Sequence, residues 1–336
     1  MKTKNYNPPP LKISEGYTSD KQYNSYEVMS ESINNWEQLC PYQLHPNGLS
    51  GRHQILQLHS MQIVYAKRNG VTMHNAGSAK DSITIAVVVA CANKACFGQL
   101  KLQTGDILFF DDSYPHNFVI NDSIEFIAVS IHKSNLDTRR TKLLQTLNKC
   151  IKDTDSRFAT TLRNIWVNFT EHTQEKKDTQ SYKAAEEEIF TIIMEYLSKQ
   201  TPEKSKLTTG EKTALDIRDQ VIQHMDGNIS ISALAKQHEV SEQTLQNSFK
   251  SLFGLTPKIF LRLLKLNIVR QELQKSNVTQ NTVSKVALKW GFKHMGRFSA
   301  YYSKLFGENP SQTLQKNYMN DKGLEATCVL RKEEII

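Results

Sequence analysis

Among its 336 residues the chain has five cysteines, three tryptophans and no long apolar run. Cys40, Cys91, Cys96, Cys150 and Cys328 are odd in number and scattered, which argues against a disulfide framework and points to a reducing cytoplasm. Cys91 and Cys96 stand too far apart for a zinc knuckle and read as strand-end residues. The most apolar stretch, Ile83 to Cys91, is far too short to cross a bilayer, and no signal peptide is recognisable. No membrane partner is expected.

Acidic residues are scarce in one region. The whole chain carries 42 Lys and Arg against 34 Asp and Glu, a formal charge of +8. Over 229–318 the balance is 13 to 4, so the excess sits there and the remainder is close to neutral. A basic C-terminal domain beside a neutral N-terminal one suggests phosphate backbone on one side and something else on the other. A solvated basic surface accounts for the charge equally well, and charge alone does not choose.

What does choose is a repeat. Leu245, Phe249, Phe253, Gly254 and Pro257 recur 53 residues later as Phe298, Tyr302, Phe306, Gly307 and Pro310. Upstream, Leu234-Ala235 recurs 52 residues later as Val286-Ala287, and a turn absorbs the difference. Each copy reads as a short helix, a tight turn and a longer amphipathic helix. The spacing predicts helices over 231–239, 242–253, 258–273, 283–290 and 294–306, with Ser241 as an N-cap, Gly254 and Gly307 as stops, and Pro257 opening a long helix. Two helix-turn-helix units on a basic surface point to duplex DNA.

The run Ile231-Ser232-Ala233-Leu234-Ala235, with Ser241, Phe249, Gly254 and Pro257, resembles the first half of the AraC/XylS family of bacterial transcription regulators. Leu263 to Arg270, Val286 to Phe292, and the closing Phe298, Tyr302, Phe306-Gly307 and Pro310-Ser311 resemble the rest of its signature. The likeness covers about 229–318. The chain departs from the family pattern at Lys265, Val269, Glu242 and Asn247. The resemblance implies a regulator, most often an activator, touching RNA polymerase at promoters. It also implies an N-terminal domain that senses a small molecule or forms a homodimer. Within the family, Thr244 to Phe249, Trp290 to Gly296 and the block Trp36 with Leu44-His45-Pro46 are similar to the ethanolamine-utilisation regulators.

The N-terminal half reads as short strands. Ile55 to Met61 alternates and continues to Ala66, Ile83 to Val89 is apolar, 75–82 reads as a turn, Gly105 to Asp112 enters through a Gly-Asp turn, and Ile124 to Ile131 adds another strand. This suggests a small antiparallel barrel. Gly105 to His116 resembles half of a cupin motif. His116 has no His-x-His partner, and His45, His53, His59 and His74 stand on separate segments, so these residues are read as structural and neither metal nor cofactor is expected. Helical stripes are expected over 138–152, 158–172, 182–199 and 214–225.

The expected fold is thus α+β in two domains, a cupin-like β-barrel with trailing helices followed by an all-α double helix-turn-helix. Expected bounds are a loose tail over 1–22, the barrel domain over 23–198, a linker over 199–212, the DNA-binding domain over 213–319 and a tail over 320–336. With Leu245 and Phe249 facing the core, Gln243, Gln246 and Asn247 are the expected base contacts, since amides pair with adenine, and Lys250 a phosphate contact. In the second unit Arg297 suits guanine and Met295 a thymine methyl, with Lys293, His294 and Lys304 on the backbone. Phe109, Phe110 and Phe118 bracket the Gly-Asp turn as candidate effector-pocket residues. No catalytic set is found. A metal-dependent cupin enzyme with a DNA-targeting arm and an architectural DNA-binding protein without effector remain as alternatives.

Overall fold

The computed structural model describes residues 10–315 except 12–13, 26–27, 30–41, 47, 93–94, 99, 114–115, 121, 137–142, 144–145, 148, 172–177, 200–207, 224–228 and 277–281. It divides into two compact units: Met1–Tyr42, Gly48–Lys212 and Ser251–Gly254 in the first, Gln43–Asn47, Thr213–Lys250 and Leu255–Ile336 in the second.

The first unit is built on two antiparallel sheets. The larger has the order β1-β3-β4-β11-β6-β9-β12, from Thr18–Tyr23 (β1), Ser50–Gln57 (β3), Met61–Asn69 (β4), Ser82–Cys91 (β6), Asp106–Asp111 (β9), Ser123–His132 (β11) and Lys149–Lys152 (β12). The smaller has the order β2-β5-β10-β7-β8, from Tyr42–Gln43 (β2), Thr72–Ala76 (β5), Ala95–Phe97 (β7), Leu100–Leu102 (β8) and His116–Ile120 (β10). The central strands β6 and β9 of the larger sheet are apolar on both faces, and both of those faces are covered. Ile83, Ile85, Val87, Ile107 and Phe109 join a core with helices α1 (Arg157–Thr170) and α2 (Thr179–Lys199). Their alternates Ala86, Val88, Leu108 and Phe110 join Phe97 and Phe118 of the smaller sheet in a second core. Glu186 of α2 fastens that helix to the β3–β4 turn, accepting from Ser60 Oγ at 2.7 Å and Met61 N–H at 2.8 Å.

Several expectations need correction here. Residues 18–22 are not tail, because Thr18–Tyr23 pairs with β3 from Thr18↔Leu56 to Tyr23↔Gly51. The expected continuous strand from Ile55 through Met61 is a hairpin turning at Leu58, whose N–H bonds the Met61 carbonyl at 2.8 Å. The expected turn over 75–82 begins inside β5. Residues 149–152, read as the end of a helix, pair with β9 instead. Cys150 and Ile151 are adjacent apolar positions that fit a strand buried on both faces as well as they fit a helical stripe.

Apart from Gln43–Asn47, the second unit is built of helices: α3 (Thr209–Gln223, entering from the first unit), α4 (Ile231–Gln237), α5 (Glu242–Phe253, its last three residues grouped with the first unit), α6 (Pro257–Lys275), α7 (Val283–Lys289) and α8 (Met295–Phe306). Helix α3 starts at Thr209, inside the expected linker, of which 200–207 lie outside the described residues. Thr256 caps α6 by accepting from Ile259 N–H at 3.4 Å with Pro257 in the first turn, and Thr282 caps α7 by accepting from Lys285 N–H at 3.2 Å.

Candidate nucleic-acid interface

The repeat in the sequence is a repeat in hydrogen bonds. In the first helix-turn-helix, His238 N–H donates to Leu234, Glu239 to Lys236 and Val240 to Ala235. In the second, Trp290 donates to Val286, Gly291 to Leu288 and Phe292 to Ala287. Each bond maps onto its partner by the same 52-residue step. Leu234, Ala235, Val286 and Ala287 are buried, and the two alanines let the following helix cross closely. The turn residue has a positive φ in both, 54° at Glu239 and 83° at Gly291.

Helices α5 and α8 are the second helices of the two units. Ser241 caps α5, its Oγ accepting from Thr244 N–H at 3.0 Å. Leu245 and Phe249 point inward, Phe249 meeting Phe260 of α6 edge-on at 5.3 Å. Gln243, Asn247 and Lys250 are exposed and Gln246 is half-buried, so the expected contacts of the first unit share the face opposite the core. Gln243 Nε2 donates to Asn247 Oδ1 at 3.0 Å, which prepositions the two amides.

In α8, Phe298 and Tyr302 are buried, and the Tyr302 hydroxyl bonds Thr313 Oγ1 at 2.8 Å. Arg297, Lys304, Lys293 and His294 are exposed. Met295 is half-buried and packs against the core of its own unit, so the structure places it apart from the exposed set. The 53-residue step sets Gln243 against Gly296 and Asn247 against Ala300, so the amide pair of α5 has no counterpart in α8. Arg297 corresponds to Thr244, which residue-by-residue reading passed over and which is exposed. It also passed over Arg262 of α6, whose guanidinium lies 4.0 Å above the exposed Tyr301 ring.

A second candidate site lies between the two sheets of the first unit. A small cavity of about 30 Å³ is lined by four phenylalanines (Phe97, Phe110, Phe118 and Phe126), six aliphatic residues and one charged residue, Arg68. Phe110 and Phe118 line it. Phe109 does not, because the strand alternation turns it to the opposite face, against α1 and α2. His116 is buried beside the cavity aromatics, stacked on Phe97 at 4.5 Å, and burial holds its pKa down at about 4. Among the described residues no group of three His, Cys, Asp or Glu could hold a metal ion, and no helix is long and apolar enough to cross a membrane.

Two helix-turn-helix units related by a repeat, with polar faces outward, define a double helix-turn-helix DNA-binding domain. A helix-turn-helix domain family matches residues 234–316. XylDLEGF operon transcriptional activator 2 of Pseudomonas putida is 35% identical over 105 residues, 30% of this chain and 67% of the relative. Activator 3 from the same organism is 33% identical over 153 residues, 44% of each chain. The solved AraC-like transcriptional activator CuxR is 14% identical, with a TM-score of 0.35 over 65% of this chain and 80% of that one. The chain belongs to the AraC/XylS family of transcription regulators. It spans less than half the length of several of the curated relatives it matches.

Proposed function

We propose that the protein is a sequence-specific transcription regulator, an activator, working in the cytoplasm on promoter DNA in contact with RNA polymerase. The observation that carries this reading is the matched pair of helix-turn-helix units with exposed polar faces on α5 and α8. The relatives named as operon activators support the sign.

Gln243, Gln246 and Asn247 read bases from α5, and Arg297 reads guanine from α8. Met295 touches a thymine methyl only if its packed side chain swings out. Lys250, Lys293, His294 and Lys304 meet phosphates. The first unit serves as effector sensor or dimer platform, with Phe110 and Phe118 in the candidate effector cavity and no catalytic step. Within the family the chain resembles the ethanolamine-utilisation regulators at 244–249 and 290–296. Trp36, the other landmark of that likeness, lies outside the described residues.

The test is genome-wide binding-site mapping followed by footprinting on the strongest promoter. Protection of two major-groove segments on one face of the duplex, with transcription rising in the presence of the protein, is the expected result. Binding without sequence preference would leave the architectural reading instead.

A further inference from the structure

The junction of the two helix-turn-helix copies carries an arginine whose donors are unspent. Arg262 lies in the second turn of α6, the helix that begins just after α5, yet its side chain reaches α8. There its guanidinium carbon stands 4.0 Å from the centre of the Tyr301 ring. At that distance the cation sits over the ring, and the attraction uses the ring face without consuming the N–H groups. Among the described residues none accepts a hydrogen bond from Arg262 and no carboxylate pairs with it. Lys258, one turn earlier on the same side of α6, is exposed and likewise meets no described carboxylate. On α8, Tyr301 stands between Arg297 at i−4 and Lys304 at i+3, both exposed, and that helix contains no acid. The acid of α6, Glu272, lies nearer its other end and is bound to Lys289 and Trp290. Tyr301 is itself 38% exposed, so it does not fill the core; Phe298 and Tyr302 do that.

We propose that Arg262, with Lys258 beside it, binds the sugar–phosphate backbone that passes between the two major grooves, and that Tyr301 is the platform holding the Arg262 fork toward it. The inference rests on the reading of α5 and α8 as helices that enter successive major grooves, and it adds α6 to the contact. Two helices placed in successive grooves leave a ridge of backbone between them, and the helix that joins them faces that ridge. A planar guanidinium matches two phosphate oxygens at once, which an ammonium does not. An arginine on an open surface loses rotamer freedom when it takes a phosphate, whereas one already stacked on a ring has lost most of it beforehand. The contact is indifferent to base identity, so Arg262 strengthens binding to every sequence alike. Tyr301 acts through Arg262 and is a positioning residue.

The experiment titrates the full-length protein at several salt concentrations with two fluorescent duplexes, one of mixed sequence and one recovered from a random pool as the tightest binder. Arg262→Gln should weaken both by the same factor, about 10-fold, the effect of one charge-assisted hydrogen bond. It should also reduce the slope of log affinity against log salt by about one unit. Arg262→Lys keeps the charge without the planar fork, so it should recover the slope and only part of the affinity. Tyr301→Ala should lose part of the affinity, Tyr301→Phe should restore it, and Tyr301→Ala should cost little more once Arg262 is already Gln. Thermal melts of the same variants identify a purely structural staple. A lower melting temperature for Arg262→Gln with affinity and salt slope unchanged overturns the inference alone. A loss confined to the selected duplex does so too, since it makes Arg262 a base reader. Wild-type protein that binds neither duplex overturns the DNA-binding reading and this inference with it.

Discussion

The indole N–H of Trp290 donates to Glu272 Oε2 at 2.7 Å, tying the turn of the second helix-turn-helix to the long helix α6. The other oxygen of the same carboxylate accepts from Lys289 at 2.8 Å. Burial pushes the Glu272 pKa up, but the two donors outweigh it and the net shift is downward. A few residues earlier on α6, Arg270 pairs with Glu308 at 3.2 Å and lies 4.7 Å above the Phe306 ring. The second helix-turn-helix is therefore held to α6 by polar bonds as well as by their shared core.

Glu272→Ala should lower stability by about 1–3 kcal/mol, because a half-buried indole donor and an ammonium lose their common acceptor. Trp290→Phe should cost less at this bond but also lose packing. The two changes share one interaction, so the double variant should fall short of the sum of the singles. Urea melts of the four proteins check this, and strict additivity would remove the Glu272–Trp290 bond as the cause.

The two turns differ at the residue that takes the left-handed conformation. Glu239 holds φ 54° where the second copy has Gly291 at 83°. A left-handed conformation costs a residue with a side chain about 1 kcal/mol, and glycine almost nothing. Glu239→Gly should leave stability unchanged or raise it by up to ~1 kcal/mol, the greater unfolded-state entropy of glycine offsetting part of the relief. Gly291→Glu should lower stability by ~1 kcal/mol or more. Thermal melts with opposite signs for the two variants would confirm that the copies share a backbone and differ in strain.

The helical domain was legible because its information is local. Helix periodicity, Ser241, Pro257 and the repeated landmarks each mark a boundary within a few residues, and helix α5 spans the residues its pattern predicts. The barrel was less legible because strand pairing is non-local. Lys149–Lys152 is strand only because β9 lies beside it, and Thr18–Tyr23 only because β3 does. The polar sequence of β1 carries no apolar alternation to announce it. Phe109 and Phe110 are chemically alike, so only the register of β9 decides which faces the cavity. Arg68 was passed over because nothing around it in sequence, Lys67 on one side and Asn69 on the other, distinguishes a buried arginine from a surface one.

Two buried histidines make the first unit acid-sensitive. His53 has its pKa lowered to about 3 and His116 to about 4, in both cases chiefly by burial, with Asp111 opposing the shift at His116. Since the unfolded values lie near 6.5, the unfolded chain takes up these protons first. Their contribution is therefore intact above about pH 6.5 and is lost as pH falls toward the folded values. Each histidine adds a slope of at most ~1.4 kcal/mol per pH unit in that window. Urea unfolding between pH 7 and pH 4.5 should show the decline. His53→Gln and His116→Gln should each flatten it, whatever they do to stability at pH 7. An unchanged slope in both variants would mean that other groups carry the acid sensitivity.

Finally, the face of α5 divides into residues that read and residues that hold. Gln246 is half-buried beside the core positions and Lys250 is exposed a turn further on. An amide placed against adenine makes two directional bonds that another base cannot return, whereas an ammonium on phosphate is indifferent to sequence. Gln246→Ala should thus cost ~1–3 kcal/mol at the best operator and relax the preference at one base pair. Lys250→Ala should weaken every sequence alike and reduce the slope of log affinity against log salt by about one unit, as expected when one phosphate is no longer neutralised. The paired amides Gln243 and Asn247 supply a control, because Asn247→Ala also frees Gln243 from its bond and should broaden specificity over neighbouring positions. Binding isotherms on an operator library at two or more salt concentrations separate the cases. If Gln246→Ala and Lys250→Ala changed salt slope and base preference in the same way, the division of roles along α5 would be wrong.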